Sequence, residues 1–194
     1  MNPIMIPFPD RIESERLYIR PALPGDGEVV HQAIVESRKE LKEWLPFAQK
    51  EQTKAEVEIN IRKAYSEFIT REDIRLHIFR KTDDEFIGST GLHRINWDVR
   101  KFEIGYWIHT KHTGHGYMTE AVKRLTAFVF DELDGNRVEI RCDPENIRSR
   151  AIPERLGFTL EGILRNDSLS AEGTSLRSTC VYSVLKDEWN ELRK

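Results

Sequence analysis

The chain has 194 residues, of which 30 are Lys or Arg and 33 are Asp or Glu, so its formal net charge is −3. Hydrophobic residues make up 39% and charged residues 32%, a balance that excludes an intrinsically disordered chain. The slight acidic excess argues against a protein that binds nucleic acid by neutralising phosphates, and the length predicts one domain over residues 1–194.

The first third of the chain predicts a strand followed by two helices. Apolar and polar residues alternate over residues 16–23, which is typical of a strand. Apolar residues recur at helical spacing over residues 28–44 and 53–70. Asp26 lies at the position expected for the N-cap of the first helix.

The middle of the chain predicts three strands and a helix. Turn residues separate alternating segments at residues 74–79, 86–95 and 102–108. The third strand leads into the loop 113–118. A helix follows from Met118 to Leu133, because its apolar residues recur at i, i+3, i+4 and i+7.

The last third predicts a strand, a short helix and two closing strands. Their ranges are 137–142, 146–156, 159–164 and 175–185. The whole order is therefore strand, two helices, three strands, helix, strand, helix and two strands. This order favours a mixed α/β sheet with helices on its faces.

The sequence has no feature of an exported or membrane protein. Cys142 and Cys180 are too few for a disulfide framework or a zinc site. The first nine residues lack a basic region, and no apolar run approaches the ~18 residues that a membrane span requires. A cytoplasmic protein is therefore expected, with neither a membrane nor nucleic acid as its partner.

The glycine loop before the third helix is the most informative segment. Gly114 and Gly116 allow a ligand to approach the backbone closely. The first N–H groups of the helix lack partners, and the helix dipole adds about half a positive charge there. Phosphate or pyrophosphate is the expected guest, and a simple tight turn is the alternative. No Gly-Lys-Ser/Thr and no third glycine follow, which argues against Walker and dinucleotide-binding loops.

Four segments together carry a resemblance to a known family. They are Ser14-Glu-Arg-Leu-Tyr-Ile-Arg-Pro21, Phe102-Glu-Ile-Gly-Tyr-Trp-Ile108, Gly114-His-Gly-Tyr-Met-Thr-Glu-Ala121 and Asn146-Ile-Arg-Ser-Arg-Ala-Ile-Pro-Glu-Arg-Leu-Gly-Phe158. In order and spacing they resemble the GNAT superfamily of acetyl-CoA-dependent N-acetyltransferases, in its RimJ/RimL-like branch of ribosomal-protein N-terminal acetyltransferases. The resemblance covers nearly the whole chain.

The resemblance implies a fold. That fold is a single α/β (α+β) domain with a mixed, mostly antiparallel central sheet of about seven strands. The sheet is splayed between its fourth and fifth strands and has helices on both faces. Residues 1–13 would then form a short N-terminal extension.

The resemblance also implies an acetyl-CoA site. In the family, a strand end pairs with the pantetheine arm, the loop N–H groups hold the pyrophosphate, and an asparagine contacts the arm. The corresponding residues here are Trp107, Ile108, His109, Thr113, Gly114, His115, Gly116, Tyr117, Met118, Asn146 and Ser149. Asn146 is also a good N-cap.

Three loop residues depart from the family pattern. Thr113 stands where Arg or Gln is usual, His115 where Lys is common, and Met118 where a small residue is usual. The backbone cradle survives these changes because it requires only N–H groups. A protonated His115 would partly replace the missing charge.

Two residues are predicted to act in catalysis. Glu103 lies on the strand expected to present the thioester and is the first candidate for the base that deprotonates the amine. An ion pair with a neighbouring strand is the alternative role, and Glu161 is the second candidate base. Ser149 corresponds to a serine proposed to protonate the CoA thiolate, or else it only caps its helix. Pro153 should distort that helix at the Ser149 carbonyl.

The resemblance implies direct attack by a primary amine without a covalent enzyme intermediate. The oxyanion is expected to meet a backbone N–H at residues 107–109. The acceptor is a protein N-terminus, such as that of a ribosomal protein, or a small amine, and the protein would be a possible homodimer. A non-catalytic acyl-CoA-binding module is the alternative function.

Other side-chain groups in the sequence predict little. His109, His112 and His115 recur every three residues in a loop that offers no completing ligand, so no metal is expected. Trp44 and Phe47, between the first two helices, either line the acceptor pocket or form a packed corner.

Overall fold

The computed structural model describes residues 2–193, so Met1 and Lys194, the ends of the expected domain, lie outside the described residues. The described part contains one sheet of eight strands. In chain order they are β1 (Ile12–Glu13), β2 (Leu17–Pro21), β3 (Ile74–Arg80), β4 (Phe86–Asn96), β5 (Lys101–Ile108), β6 (Arg137–Cys142), β7 (Thr159–Leu169) and β8 (Leu176–Leu185).

The spatial order of the strands is β1-β2-β3-β4-β5-β6-β8-β7. Neighbouring strands are antiparallel except β5 and β6, which are parallel. The predicted mixed, mostly antiparallel sheet is therefore confirmed. The strand beyond the predicted seven is β1, which consists of only two residues paired with β2.

Within residues 2–193 five α-helices lie against the sheet, and the predicted placement of helices on both of its faces is confirmed. They are α1 (Gly27–Leu41), α2 (Lys54–Thr70), α3 (Tyr117–Asp131), α4 (Ile147–Arg155) and α5 (Lys186–Leu192). The apolar stripe of α3 packs into the larger core. Helix α1 and the first half of α2 pack a smaller core, and Phe68 near the end of α2 joins the larger one. No helix of residues 2–193 is long and apolar enough to cross a membrane.

The splay between β5 and β6 is the feature that shapes the site. The two strands pair only from Lys101 to Glu103 on β5, opposite Arg137 to Glu139 on β6. Farther along, β5 pairs with β4 as far as Ile108, while β6 diverges. The edge of β5 from Ile104 to Ile108 therefore faces a gap. Since β5 and β6 are the fourth and fifth predicted strands, the predicted splay is confirmed.

Other elements also differ from the predicted ones, and strand β7 continues to Leu169 rather than ending at Leu164. Helix α1 ends at Leu41 rather than Trp44, because the chain turns before Leu45, whose backbone is restricted by the following proline. Helix α5 was not predicted. Asp26 occupies the N-cap position of α1 but makes no side-chain cap bond, because its carboxylate instead binds Arg20, His77 and the Leu23 N–H.

Candidate active site

The glycine loop adopts a conformation suited to an anion. Gly114 and Gly116 have φ angles of +82° and +78°, a region that L side chains rarely adopt. Gly116 is the N-cap of α3. Within residues 2–193, none of the backbone N–H groups of residues 114–119 donates a hydrogen bond. These donors and the positive end of the helix dipole form a cradle that fits a pyrophosphate.

A cation that the sequence analysis missed lies beside this loop. Arg16 donates to the His115 carbonyl at 3.0 Å and stacks over the Tyr117 ring, with its guanidinium carbon 4.6 Å from the ring centroid. Glu120 holds Arg16 through a 2.7 Å ion pair. Because Arg16 and His115 are 99 residues apart in sequence, no local pattern points to their contact.

Six of the predicted binding residues line one cavity in the splay. This β5–β6 cavity has a volume of about 320 Å³. The predicted residues in its wall are Trp107, Ile108, Thr113, Met118, Asn146 and Ser149. Arg141, Arg148 and Arg177 also line it, against the acidic Glu40 and Asp143. The wall is therefore slightly basic, which suits an anionic ligand with an extended arm.

The other predicted binding residues lie outside that wall. Gly114, Gly116, His115 and Tyr117 belong to the adjoining loop and helix start, where the rings of His115 and Tyr117 stack 5.7 Å apart. His109 is 4% exposed and its Nε2 lies 2.8 Å from Glu36. The His109 N–H donates to the Ile87 carbonyl, so it is not available to an oxyanion.

Tyr106 joins the predicted Ser149 in the β5–β6 cavity. Its hydroxyl donates to the Ser149 carbonyl at 2.9 Å, and the Ser149 hydroxyl lies 3.4 Å from it. That carbonyl is free for Tyr106 because Pro153, four residues on, has no N–H. The Asn146 side chain accepts from the Ser149 N–H at 3.0 Å, so the cap exists as well. Burial raises the pKa of Tyr106 well above its usual range.

The two candidate bases are engaged in ion pairs. Glu103 accepts from Arg94 at 3.0 Å and does not line the β5–β6 cavity. The hydrogen bond from Arg137 lowers the pKa of Glu161 to about 2, which makes a weak base. The role of either glutamate as the base remains a prediction.

A second cavity lies across β5 from the first. This α1–α2 cavity of about 330 Å³ has apolar walls from Val30, Ile34, Phe47, Val57 and Ile61. The sheet forms the floor of this cavity, and His77 and His93 line it there. The two cavities share Leu45, Gly105, Tyr106 and Trp107. Two reacting groups, one in each cavity, could therefore meet at Gly105, Tyr106 and Trp107 of β5.

The three loop histidines do not converge. The rings of His109 and His112 lie 5.4 Å apart, while His115 stacks on Tyr117. Among residues 2–193 no group of three or more His, Cys, Asp or Glu side chains is placed to hold a metal ion.

The wall residue Thr113 gives a prediction about affinity. Thr113→Arg is expected to tighten acetyl-CoA binding about fivefold at low salt, because a guanidinium near phosphates adds roughly 1 kcal/mol of attraction. The gain should shrink as salt is added. Calorimetric titration measures it. Thr174→Arg, on the β7–β8 turn outside both cavities, makes the same charge change as a control. An unchanged Kd for Thr113→Arg at low salt would contradict the expectation.

Comparison with known proteins identifies the family. The acetyltransferase (GNAT) domain matches residues 16–159, and the chain belongs to this family of acetyl-CoA-dependent N-acetyltransferases. Its similarity to ribosomal-protein acetyltransferases supports the RimJ/RimL-like branch.

Individual relatives cover most of the chain. YdaF of Bacillus subtilis (strain 168), a candidate ribosomal N-acetyltransferase, is 34% identical over 180 residues, which are 91% of this chain and 94% of YdaF. A crystal structure of a probable acetyltransferase is 31% identical with a TM-score of 0.84, covering 92% of this chain and 98% of that one. RimL, the ribosomal L7/L12 α-N-protein acetyltransferase solved with coenzyme A, shares the fold at a TM-score of 0.84 and 22% identity, covering 92% and 99%.

Proposed function

We propose that this enzyme transfers the acetyl group of acetyl-CoA to the α-amino group of a polypeptide, by direct attack of the amine on the thioester. The observation that carries the proposal is the meeting of two cavities at Gly105, Tyr106 and Trp107. One cavity adjoins the phosphate loop and suits the CoA arm. The other opens on the opposite side of β5 and suits the amine.

The free edge of β5 orients the thioester. Backbone groups from Ile104 to Ile108 that β6 leaves unpaired are available to the amides of the pantetheine arm. A β5 backbone N–H on this edge would also stabilise the oxyanion of the tetrahedral intermediate, since it is fixed before the reaction. Ser149, backed by Tyr106, is placed to protonate the departing thiolate.

A surface depression next to the amine cavity supports a polypeptide as acceptor. The α1–α2 cavity shares Phe47 and Gln52 with this depression, which extends to Ala171 and Glu172 before β8. A peptide whose first residue enters the cavity has a surface along which its next residues continue. The names of YdaF and RimL point to the same class of acceptor.

A thiol-release assay with mass spectrometry tests the acceptor. Peptides with a free α-amine and an internal lysine should release CoA thiol and gain one acetyl group at the α-amine. The same peptides with a blocked N-terminus should not react. Acetylation of lysine or of small amines alone would overturn the polypeptide assignment. Acetyl-CoA binding without thiol release from any amine would favour the non-catalytic module.

A pair of variants tests whether the acceptor binds in the α1–α2 cavity. Asn60 on α2 lines that cavity, so Asn60→Phe should raise the peptide KM about tenfold or more through steric exclusion, leaving the Kd for acetyl-CoA unchanged. Lys63→Phe, an exposed position on α2 that lines neither cavity, is the matched control. Equal peptide KM values for the two variants would show that the acceptor binds outside the α1–α2 cavity.

A further inference from the structure

An aspartate–histidine pair faces the point where the two cavities meet. His93 is on β4, and its Nδ1 lies 2.7 Å from the Asp73 carboxylate just before β3. In the neutral form of the ring, the carboxylate favours the tautomer with the proton on Nδ1, which leaves a lone pair on Nε2. Within residues 2–193, Nε2 makes no hydrogen bond.

Two glycines let the His93 ring lie flat on the sheet. Gly91 of β4 and Gly105 of β5 are directly paired. A Cβ at Gly91 would lie 2.7 Å from Nε2, and a Cβ at Gly105 would lie 3.2 Å from it. Nε2 is therefore held over the floor of the α1–α2 cavity, against the glycine that both cavities share.

We propose that His93 takes the proton from the acceptor amine and that Asp73 is its positioning residue. This assignment rests on the proposed acetyl transfer. The acceptor ammonium loses one proton to Nε2, and the neutral amine attacks the thioester carbon. As the C–N bond forms and the C–S bond breaks, the Ser149 hydroxyl protonates the departing thiolate. The second proton of the nitrogen goes to water, and Ser149 regains a proton from water. His93 then passes its proton to water.

The neighbouring titratable groups are less well placed for this role. His77 lines the same cavity, but its side chain is 1% exposed and its Nδ1 contacts Asp26. The side chain of His93 is 30% exposed, so it can return its proton to solvent. Glu103, which pairs with His93 across the strands, is bound by Arg94 and lies outside the cavity wall.

Two acceptors distinguish a base from a structural residue. One is a peptide with an ordinary α-amine, and the other is the matched aminooxy peptide, which is already neutral at pH 7. His93→Ala should lower kcat/KM about 10²-fold for the amine and less than about tenfold for the aminooxy peptide. Added imidazole should restore part of the amine rate. Asp73→Asn should shift the same ratio in the same direction.

Controls separate the possible failures. Asp98→Asn removes a matching carboxylate outside the cavity and should leave both rates unchanged. The proposal would be overturned if His93→Ala lowered kcat/KM equally for the two acceptors, or if it left the amine rate normal. In either case the activity of the wild type would still support the proposed acetyl transfer. Glu103→Gln is expected to change the amine rate less than about tenfold. If Glu103→Gln, and not His93→Ala, lowered the rate for the amine but not for the aminooxy peptide, then Glu103 would be the base instead. No thiol release by the wild type with either acceptor would refute the proposed transfer.

Discussion

Ser149→Ala and Tyr106→Phe are each expected to lower kcat by about 10²–10⁴-fold, with the Kd for acetyl-CoA nearly unchanged. The thiolate that leaves the tetrahedral intermediate requires a proton at that moment. Ser149 lines the β5–β6 cavity, where we propose that the CoA arm binds. The Tyr106 hydroxyl accepts from the Ser149 hydroxyl at 3.4 Å and donates to the Ser149 carbonyl, so it holds this serine in place.

The effects of Ser149→Ala and Tyr106→Phe on kcat are expected to be non-additive. If Tyr106 acts only by holding the Ser149 hydroxyl in place, then the double variant should be no slower than the slower single variant. Rapid-quench measurement of a single turnover isolates the chemical step. Tyr18→Phe is the control, since that hydroxyl binds Asp84 at 2.9 Å and lines neither cavity. Normal turnover in Ser149→Ala would leave this serine as part of the α4 cap.

Asp26→Ala is expected to destabilise the fold by about 3–5 kcal/mol, the usual cost of removing one partner from a buried ion pair. The Asp26 carboxylate binds Arg20 through both oxygens at 2.7 and 2.8 Å and His77 at 2.8 Å. Removing it leaves a guanidinium and a buried imidazole without their acceptor. Urea denaturation measures the loss, and Asp98→Ala on an exposed turn is the control. A loss below about 1 kcal/mol would contradict the expectation.

The same pair predicts how stability depends on pH. Burial lowers the pKa of His77 despite the hydrogen bond to Asp26. Burial raises the pKa of Asp26, but the hydrogen bonds from Arg20 and His77 outweigh this effect and hold it well below its usual range. In both cases the unfolded chain binds more protons than the folded chain as the pH falls.

The free energy of unfolding should therefore fall on acidification in two stages. The first begins near pH 6.5, the ordinary pKa of histidine, and the second begins near pH 4, that of aspartate. Urea titrations across this range measure the slope. His77→Gln should reduce the first stage. A free energy of unfolding that rises between about pH 6.5 and 5 would show the opposite sign for His77.

The fold was predictable where periodicity was strong. Helix α3 has apolar residues at every turn that meets the core, and the structure places it within two residues of the predicted ends. Strand β1 and helix α5 escaped prediction for a physical reason. A two-residue strand and a seven-residue helix with one buried apolar residue, Trp189, are too short to show a period.

The site was predictable where the chain itself brings the residues together. The loop from Thr113 to Met118 is a continuous segment, so its motif identified it. The contacts of Tyr106 with Ser149, 43 residues away, and of His93 with Asp73, 20 residues away, arise from strand register and helix docking. Register places His93 opposite Glu103 and Gly91 opposite Gly105, and alternation within one strand carries no such information.

The three-residue pairing of β5 with β6 divides the sheet into two blocks, β1–β5 and β6–β8. A ligand arm lying along the gap adds the hydrogen bonds that the diverging strand leaves out. A ligand that binds only the folded chain stabilises it by RT ln(1 + [L]/Kd). If acetyl-CoA binds along this gap as we propose, its pantetheine arm pairs with β5 as an added strand would. The rate at which the β5 amides exchange with solvent deuterium is then expected to fall as the acetyl-CoA concentration rises. The stability of the strand that orients the thioester would then depend on the concentration of the acetyl donor.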